Sequence, residues 1–223
     1  MLVSHFKRFI YLKTPKTAGT SVEIALEPYC APPGHTPSHT TESHVSKYGI
    51  IGRRGPKNQD EVYYNHMPAE ELRGLIGKDR WGAYQKCCNI RNPFDLTVSY
   101  FYFVVDDDLR HEISTRGFEF ARRNFRNWLA SRHSLPTGQS NYCIAGKPAL
   151  DFYIRYEELA DDLKSFSTLI GIDSPTVGKF KTKKRMFKHV SFKDYYDERA
   201  ADCVRQMFGR YFEWFGYDPE SWK

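Results

Sequence analysis

One stretch, KTPKTAGTS at residues 13–21, indicates the fold of this chain more strongly than any other. The apolar run before it, residues 9–13, is typical of a buried strand, and the residues from Thr20 onward have the spacing of a helix. The stretch is therefore expected to be the loop of a strand–loop–helix unit. Such a unit predicts an α/β fold with a mostly parallel sheet that helices cover on both faces.

The loop has the composition of an anion-binding site. Backbone N–H groups at the start of a helix are unpaired and lie at the positive end of the helix dipole, so they bind phosphate. Small residues let the backbone approach the anion, and Lys16 adds a positive charge. An ordinary capped helix with an incidental lysine has the same pattern. The residues expected to contact phosphate are Thr17, Ala18, Gly19, Thr20 and Ser21.

The order of residues in this loop is not that of a nucleotide-triphosphate loop. That motif, GxxxxGK[ST], places the lysine directly before the hydroxyl residue at the helix start. Here Lys16 precedes Gly19, and no aspartate follows a later strand in a convincing position for magnesium. A nucleotide kinase or NTPase stays open as an alternative.

Composition limits the class of protein. The chain has 223 residues and a net charge of +6, which suits one α/β domain over residues 1–223. The positive charge indicates either an anionic partner or simple solubility. No apolar run reaches the ~20 residues of a membrane span, so no integral membrane segment is expected. Five cysteines without CxxC spacing are expected to be free thiols, which favours the cytoplasm.

The remaining pattern predicts strands that alternate with helices. Residues 28–60 are rich in Pro, Gly, Ser, Thr and His and are expected to be one long surface loop. Asn92 and Pro93 form a strong helix start, and apolar residues at positions 94, 98, 101 and 105 share one face of that helix. The predicted strands are 62–65, 84–90 and 150–155, and the predicted helices are 68–75, 118–130, 157–170 and about 197–212.

The residues Pro15 to Ser21 resemble the 5′-phosphosulfate loop of sulfotransferases that use 3′-phosphoadenosine-5′-phosphosulfate (PAPS). The Thr-Ala-Gly-Thr-Ser part, residues 17–21, is closest to the carbohydrate sulfotransferases. The resemblance implies a P-loop (Rossmann-like) fold that binds PAPS, and its product PAP, without a metal. It also implies that Lys16 is catalytic and neutralises charge on the oxygen that leaves with the nucleotide.

A second segment, Arg91-Asn92-Pro93 with Ser99 eight residues after the arginine, is similar to the 3′-phosphate motif of the same family. The resemblance implies that Arg91 and Ser99 hold the ribose 3′-phosphate. Ser99 lies roughly 10 Å along the helix from its cap, so one phosphate can meet both groups only if the Arg91 side chain reaches along the helix. Alone, Arg91 could form a surface ion pair and Ser99 could be a solvated helix position.

The segment Asn65-His66-Met67-Pro68 looks like the His-x-Pro segment that carries the catalytic base of the family. The resemblance implies that His66 accepts the proton of the acceptor hydroxyl. A single histidine in another context is structural or exposed to solvent. One departure is Tyr64, because some cytosolic members of the family have a lysine there.

Two further segments resemble the family. Tyr156, in Arg155-Tyr156-Glu157-Glu158-Leu159, is expected to meet the adenine, although core packing would suit it as well. Residues 179–188 carry six Lys or Arg and no acid. The resemblance favours a lid over the 3′-phosphate, while a solvated face or a nucleic-acid patch stays open. The lid residues expected to bind the nucleotide are Lys183, Lys184 and Arg185.

These observations predict a sulfotransferase that moves a sulfuryl group from PAPS to an acceptor hydroxyl, on a carbohydrate or glycolipid. Arg53, Arg54 and Lys57 would suit an acidic glycan. No nucleic acid is expected as partner, because no helix-turn-helix, zinc-finger or RNP pattern is present, but a basic nucleic-acid-binding domain is the second alternative. The spacing of His35, His39 and His44 fits no zinc signature, so no metal is expected.

Overall fold

The computed structural model describes residues 1–55, 61–173, 175, 186–187 and 189–223. The chain divides into two compact units. Unit 1 contains Met1–Ile90 and Gly138–Phe180, and unit 2 contains Arg91–Thr137 and Lys181–Lys223. The single domain over residues 1–223 stays a prediction. Among the described helices, none is both long enough and apolar enough to cross a membrane.

The chain is an α/β fold, and the strands among its described residues all lie in unit 1. The strands are β1 (Leu2–Ser4), β2 (Phe9–Leu12), β3 (His44–Val45), β4 (Gly49–Ile51), β5 (Gln85–Ile90), β6 (Cys143–Ile144), β7 (Lys147–Pro148) and β8 (Phe152–Arg155). The α-helices are α1 (Gly19–Leu26), α2 (Ala69–Ile76), α3 (Lys78–Ala83), α4 (Pro93–Val104), α5 (Asp107–Arg116), α6 (Phe118–Ala130), α7 (Gln139–Tyr142), α8 (Leu159–Leu169), α9 (Glu198–Phe208) and α10 (Tyr211–Phe215).

The main sheet has six strands in the order β3-β4-β1-β2-β5-β8 and is mixed. Only the β2–β5 and β5–β8 pairs are parallel, while β1 is antiparallel to both β2 and β4, and β3 is antiparallel to β4. The prediction of a mostly parallel sheet was therefore wrong for its β3-β4-β1 half. The reason is the length of the connections, because the short turn between β1 and β2 allows only an antiparallel pair.

Two local predictions were also wrong. The segment 28–60, expected to be one loop, contains the strands β3 and β4, and the short apolar run Gly49–Ile51 is fully inside the sheet. The predicted strand at residues 62–65 is absent from this described segment, where Tyr64 makes a single bridge with Arg53. Val62 is 58% exposed, so burial does not stabilise a strand there.

The core of unit 1 lies between the sheet and two helices. Helices α1 and α8 contribute Val22, Leu26, Leu163 and Phe166, which pack with Phe9 and Tyr11 of β2 in one apolar cluster. Residues that alternate with these along the strands are buried as well, so both faces of the central strands are covered. They include Val3, Ile10, Leu12 and Cys88.

Unit 2 is helical and built around α4. The side chain of Asn92 accepts a hydrogen bond from the backbone N–H of Phe94, so the predicted cap is confirmed. The predicted apolar face is also confirmed, since its four residues are buried. Helix α6 has the predicted bounds. The closing helix is divided into α9 and α10, because Gly209 adopts a φ of 44° that ends α9.

Candidate functional site

The loop at residues 13–21 connects β2 to α1, as the sequence predicts. Lys16 and Ala18 have φ angles of 58° and 63°, and Thr17 between them does not, so the sign of φ alternates along the loop. Alternation of this kind turns successive backbone N–H groups toward one side and forms an anion-binding concavity. Left-handed non-glycine residues cost about 1–3 kcal/mol each and cluster at functional sites. The loop is therefore the candidate anion site of unit 1.

The hydroxyl groups of the loop divide into two kinds. Thr17 is buried, and its Oγ1 lies 2.8 Å from Thr14 Oγ1 and 3.1 Å from the Thr14 carbonyl oxygen, so it fixes the shape of the loop. The hydroxyls of Thr20 and Ser21 make no hydrogen bond to any residue that the structure describes. Thr17 is thus expected to contact a phosphate only through its backbone N–H. Thr20 and Ser21 can also contact it through their hydroxyls.

A polar contact between β2, β5 and α1 lies under the loop. A Cβ atom on Gly19 would come within 2.7 Å of Lys13 Cγ, so only glycine allows α1 to begin this close to the strand. Tyr11 Oη contacts Asn89 Oδ1 at 2.5 Å. Asn89 is buried, and its Nδ2 has no acceptor among the described residues, although buried amide donors are almost always paired. Sequence alone gave no signal for Asn89, which is far along the chain from the loop.

A buried ionic group, called here the Glu23 cluster, joins α1 to the 28–60 segment. It consists of Glu23, Glu27, Lys13 and Arg54, and the half-buried His35 contacts it through Glu27. Lys13 Nζ lies 3.2 Å from Glu23 Oε2, and Arg54 pairs with both glutamates. Burial alone would raise the pKa of Glu23, but the ammonium of the first residue, Lys13 and Arg54 together lower it to about 2.

The Glu23 cluster overturns the expectation that Arg54 suits an acidic glycan. Arg54 is 2% exposed, and its guanidinium also donates to the Ser38 carbonyl oxygen at 2.6 Å. Arg53 pairs with Glu42 and Glu61. Lys57 lies outside the described residues. His35, from the group of three histidines, has its Nε2 2.5 Å from Glu27 Oε1, and no group of three metal-binding side chains occurs within the described ranges.

His66 is placed at the entrance of the loop. Its Nδ1 lies 3.1 Å from the carbonyl oxygen of Lys13, which can only accept, so Nδ1 carries the proton. In the neutral ring Nε2 is then the proton acceptor. Burial lowers the pKa of His66 to about 4, with a further contribution from the charge of Lys13. His66 is therefore a neutral imidazole at pH 7 with a defined tautomer.

The backbone of His66 is held by a residue that the sequence did not indicate. His66 has a φ of 59°, and Asn141 of α7 donates from Nδ2 to the carbonyl oxygens of His66 at 2.7 Å and of Met67 at 3.1 Å. Asn141 is 3% exposed, so these bonds are shielded from water. The preceding Gly138 contacts the loop closely, because a Cβ there would lie 3.0 Å from Pro15 Cδ.

Tyr64, at the position where some sulfotransferases have a lysine, is occupied with a different partner. Its hydroxyl donates to Glu71 Oε2 at 2.6 Å. Burial and this hydrogen bond raise the pKa of Tyr64 to about 12. Tyr64 is therefore a neutral phenol at pH 7, tied to α2.

In unit 2, Arg91 lies two residues before α4, and Ser99 lies within this helix. Arg91 is 7% exposed, and its Nε and Nη2 lie 2.8 and 2.7 Å from Asp95 Oδ2. Its ion pair is thus buried, unlike the surface pair considered from the sequence. Asp95 lies one helical turn before Ser99 on α4, so the contact of Arg91 with Asp95 accounts for the first turn of the distance to Ser99. The half-buried Ser99 hydroxyl has no hydrogen-bond partner within the described part of the chain.

Of the other residues predicted to contact the nucleotide, the structure describes Tyr156. Tyr156 directly follows β8, and its backbone N–H donates to the Ile90 carbonyl oxygen at 2.8 Å. Its side chain is 37% exposed, which does not fit the core-packing alternative. Lys183, Lys184 and Arg185 lie outside the described residues.

Comparison of the chain with the models of known protein families, with curated proteins and with solved structures finds no match. The candidate site therefore stands on its own geometry. Within unit 1 the fold brings the loop and His66 together, and within unit 2 it pairs Arg91 with Asp95, one turn before Ser99 on α4.

Proposed function

We propose that this protein is a PAPS-dependent sulfotransferase with a P-loop (Rossmann-like) fold, and that its acceptor is a hydroxyl group of a carbohydrate or glycolipid. The observation that carries the proposal is the His66 imidazole at the entrance of the anion loop. Its Nδ1 proton is fixed by the Lys13 carbonyl, which leaves Nε2 as a neutral base. A base at a phosphate loop suits transfer to an alcohol, which needs help in losing its proton.

The residues of unit 1 fit a phosphosulfate group. The loop amides, Lys16 and the hydroxyls of Thr20 and Ser21 would hold the 5′-phosphosulfate. The buried Nδ2 of Asn89 supplies one more donor that has no other acceptor in the described chain. Tyr156, exposed beside the end of β8, would stack on the adenine.

PAPS supplies the sulfuryl group, whose bond to the bridging phosphate oxygen breaks as a bond to the acceptor oxygen forms. His66 Nε2 takes the acceptor's proton. Lys16 neutralises the charge that develops on the bridging oxygen, a stabilisation that grows only as the bond breaks. Asn141 keeps the His66 backbone in place throughout.

Arg91 and Ser99 of unit 2 are proposed to bind the 3′-phosphate. Because Asp95 already contacts two nitrogens of Arg91, a phosphate would compete with this carboxylate or share the guanidinium with it. An arginine has five N–H donors, so sharing is chemically possible. Binding of the nucleotide is therefore expected to weaken the Arg91–Asp95 pair.

A cytoplasmic location is part of the proposal. All five cysteines are free thiols, as the sequence predicts, and four of them are buried. Burial raises the pKa of Cys30, Cys87 and Cys88 well above the usual value for a thiol, so these cysteines are unreactive. Free thiols are typical of a reducing compartment.

The test is transfer of radiolabelled sulfate from PAPS to a panel of glycans, glycolipids and phenols, with a chelator present. His66→Ala should lower turnover by ~10² to 10⁴-fold, the usual contribution of a general base, while calorimetric affinity for PAP is retained. His44→Ala, at an exposed position, is the matched control. Full turnover of His66→Ala would remove the base assignment. Equal affinity for PAP and AMP, or magnesium-dependent binding of ATP in preference to PAP, would remove the proposal.

A further inference from the structure

A cleft lined by several arginines lies within unit 2. The cleft, of about 590 Å³, runs along α6 and α9, and we call it the arginine cleft. The described lining of this cleft includes neither Arg91 nor Ser99, which are predicted to bind the nucleotide. The arginines that line it are Arg116, Arg122, Arg123, Arg126 and Arg199, and the acidic residues in its lining are Glu119 and Asp197.

The arginines differ in how far they are already neutralised. Arg126 is structural, because it donates to the carbonyl oxygens of Tyr195 and Tyr196 and pairs with Asp197. Arg122 pairs with Glu119, and Arg116 pairs with Glu112. Arg123 and Arg199 are exposed and have no ion pair with any described residue. The cleft thus presents two uncompensated guanidinium groups beside three that are paired.

The shape of the cleft narrows the kind of ligand. The Phe120 ring is covered by the guanidinium of Arg116, 3.8 Å from its centroid, and approached by that of Arg123 at 5.5 Å. The guanidinium groups that pack on the Phe120 ring therefore leave it unsuited to stacking on a nucleobase. Stacking also orients the guanidinium planes, whose paired N–H donors match carboxylate, sulfate and phosphate groups. The volume is that of a small-ligand site, unlike the flat surface that a membrane requires.

We propose that the arginine cleft binds an acidic oligosaccharide, a sugar chain that carries carboxylate or sulfate groups. Arg123 and Arg199 bind its anionic groups, and the Asn127 amide in the same lining pairs with its hydroxyls. The choice of a sugar rests on the proposed function, which needs a hydroxyl-bearing acceptor. The binding itself can be measured without sulfuryl transfer.

The experiment measures binding of a heparin hexasaccharide at about 0.15 M salt, where long-range surface attraction is screened. The Arg123→Ala/Arg199→Ala variant should bind ~10 to 100-fold more weakly, because each charge-assisted hydrogen bond is worth about a factor of ten. The matched control is Lys78→Ala/Lys164→Ala, which removes the same charge from exposed positions of unit 1. An equal loss of affinity in both variants would show that net charge alone attracts the hexasaccharide, and it would overturn the proposal that the cleft is its binding site.

Cys203 provides an independent readout, because it lines the cleft and is the one cysteine that is not buried. Bound hexasaccharide should slow alkylation of Cys203 in the wild type and not in Arg123→Ala/Arg199→Ala.

Single-stranded oligonucleotide, polyglutamate and anionic vesicles are the competing probes. Protection by any of them at lower concentration than the hexasaccharide would overturn the sugar assignment. Protection of Cys203 without any PAPS-dependent transfer would support binding in the cleft and remove the proposed function. Transfer without protection would support the proposed function and remove binding in the cleft.

Discussion

The Glu23 cluster of unit 1 and the arginine cleft of unit 2 use the same side chain in opposite ways. In the cluster, Arg54 is buried between two glutamates and holds the 28–60 segment to α1. In the cleft, Arg123 and Arg199 are exposed and have no acidic partner among the described residues. The availability of an arginine to a ligand therefore depends on the acids that the fold brings near it, and not on the local density of positive charge in the sequence.

The largest effect on stability is expected from Arg54→Met, which keeps the side-chain volume of this buried residue and removes its charge. Glu27 would lose its arginine partner and Glu23 one of its three cations, and removal of one partner of a buried pair typically costs about 3–5 kcal/mol. Denaturant unfolding measures the loss. Its neighbour Arg53, with more exposed acidic partners, is the matched control, and Arg53→Met should cost ~0–1 kcal/mol. Similar losses for both would mean that the Glu23 cluster is not a stabilising unit.

The second prediction concerns pH and the buried His66. Because burial lowers its folded pKa to about 4, below the ordinary ~6.5, the unfolded chain takes up the proton first. The contribution of neutral His66 is complete above pH ~6.5 and is lost as pH falls to about 4, by up to ~3 kcal/mol. His66→Gln should flatten the stability curve over this window. As pH falls, kcat/KM should decrease with a midpoint at pH about 4. A midpoint at pH ~6.5 would mean that the imidazole is exposed and its pKa unperturbed.

A third prediction extends the contrast to an uncharged polar group. Asn141→Ala leaves the buried carbonyl oxygens of His66 and Met67 without donors, which costs about 1–3 kcal/mol. If Asn141 positions His66, sulfuryl transfer should also fall while affinity for PAP is retained. The control is Gln139→Ala, also on α7, because Gln139 does not take part in the two hydrogen bonds from Asn141 to His66 and Met67. A stability loss with unchanged transfer would restrict Asn141 to a structural role.

The smallest effect is expected in the cleft. Arg123→Ala/Arg199→Ala should change the free energy of unfolding by no more than ~0.5 kcal/mol, because exposed residues without partners contribute little. Thermal unfolding of this variant beside the wild type tests the point. A loss comparable to that of Arg54→Met would mean that these arginines, too, are structural.

The elements that were predicted well are those whose signals are local. Helix α4 has a cap, a proline at its first position and an apolar stripe, and each acts within a few residues. Helix α6 was found at its bounds because its buried positions recur at helical spacing. The place of the loop at residues 13–21 between a strand and a helix was predicted for the same reason.

What sequence could not provide depends on distant contacts. β1 has only three residues, and its burial comes from strands on both sides. Arg54 looked like a ligand because its glutamates lie far from it in sequence, on α1 and just after it. Asn141 carries no motif, and only the fold of unit 1 shows that it holds His66. The proton position and the lowered pKa of His66 likewise follow from burial and from the Lys13 carbonyl.

The mixed order of the sheet has a consequence for how the chain reaches its structure. β1 and β2 form a hairpin that pairs Leu2 with Tyr11, a contact that closes quickly because little chain lies between. The parallel β2–β5 ladder pairs Phe9 with Gln85 and must wait for a much longer segment to close. Loop-closure entropy and contact order both slow such non-local pairing. The hairpin is thus expected to be an early template, and the parallel ladder beside the candidate site is expected to form late.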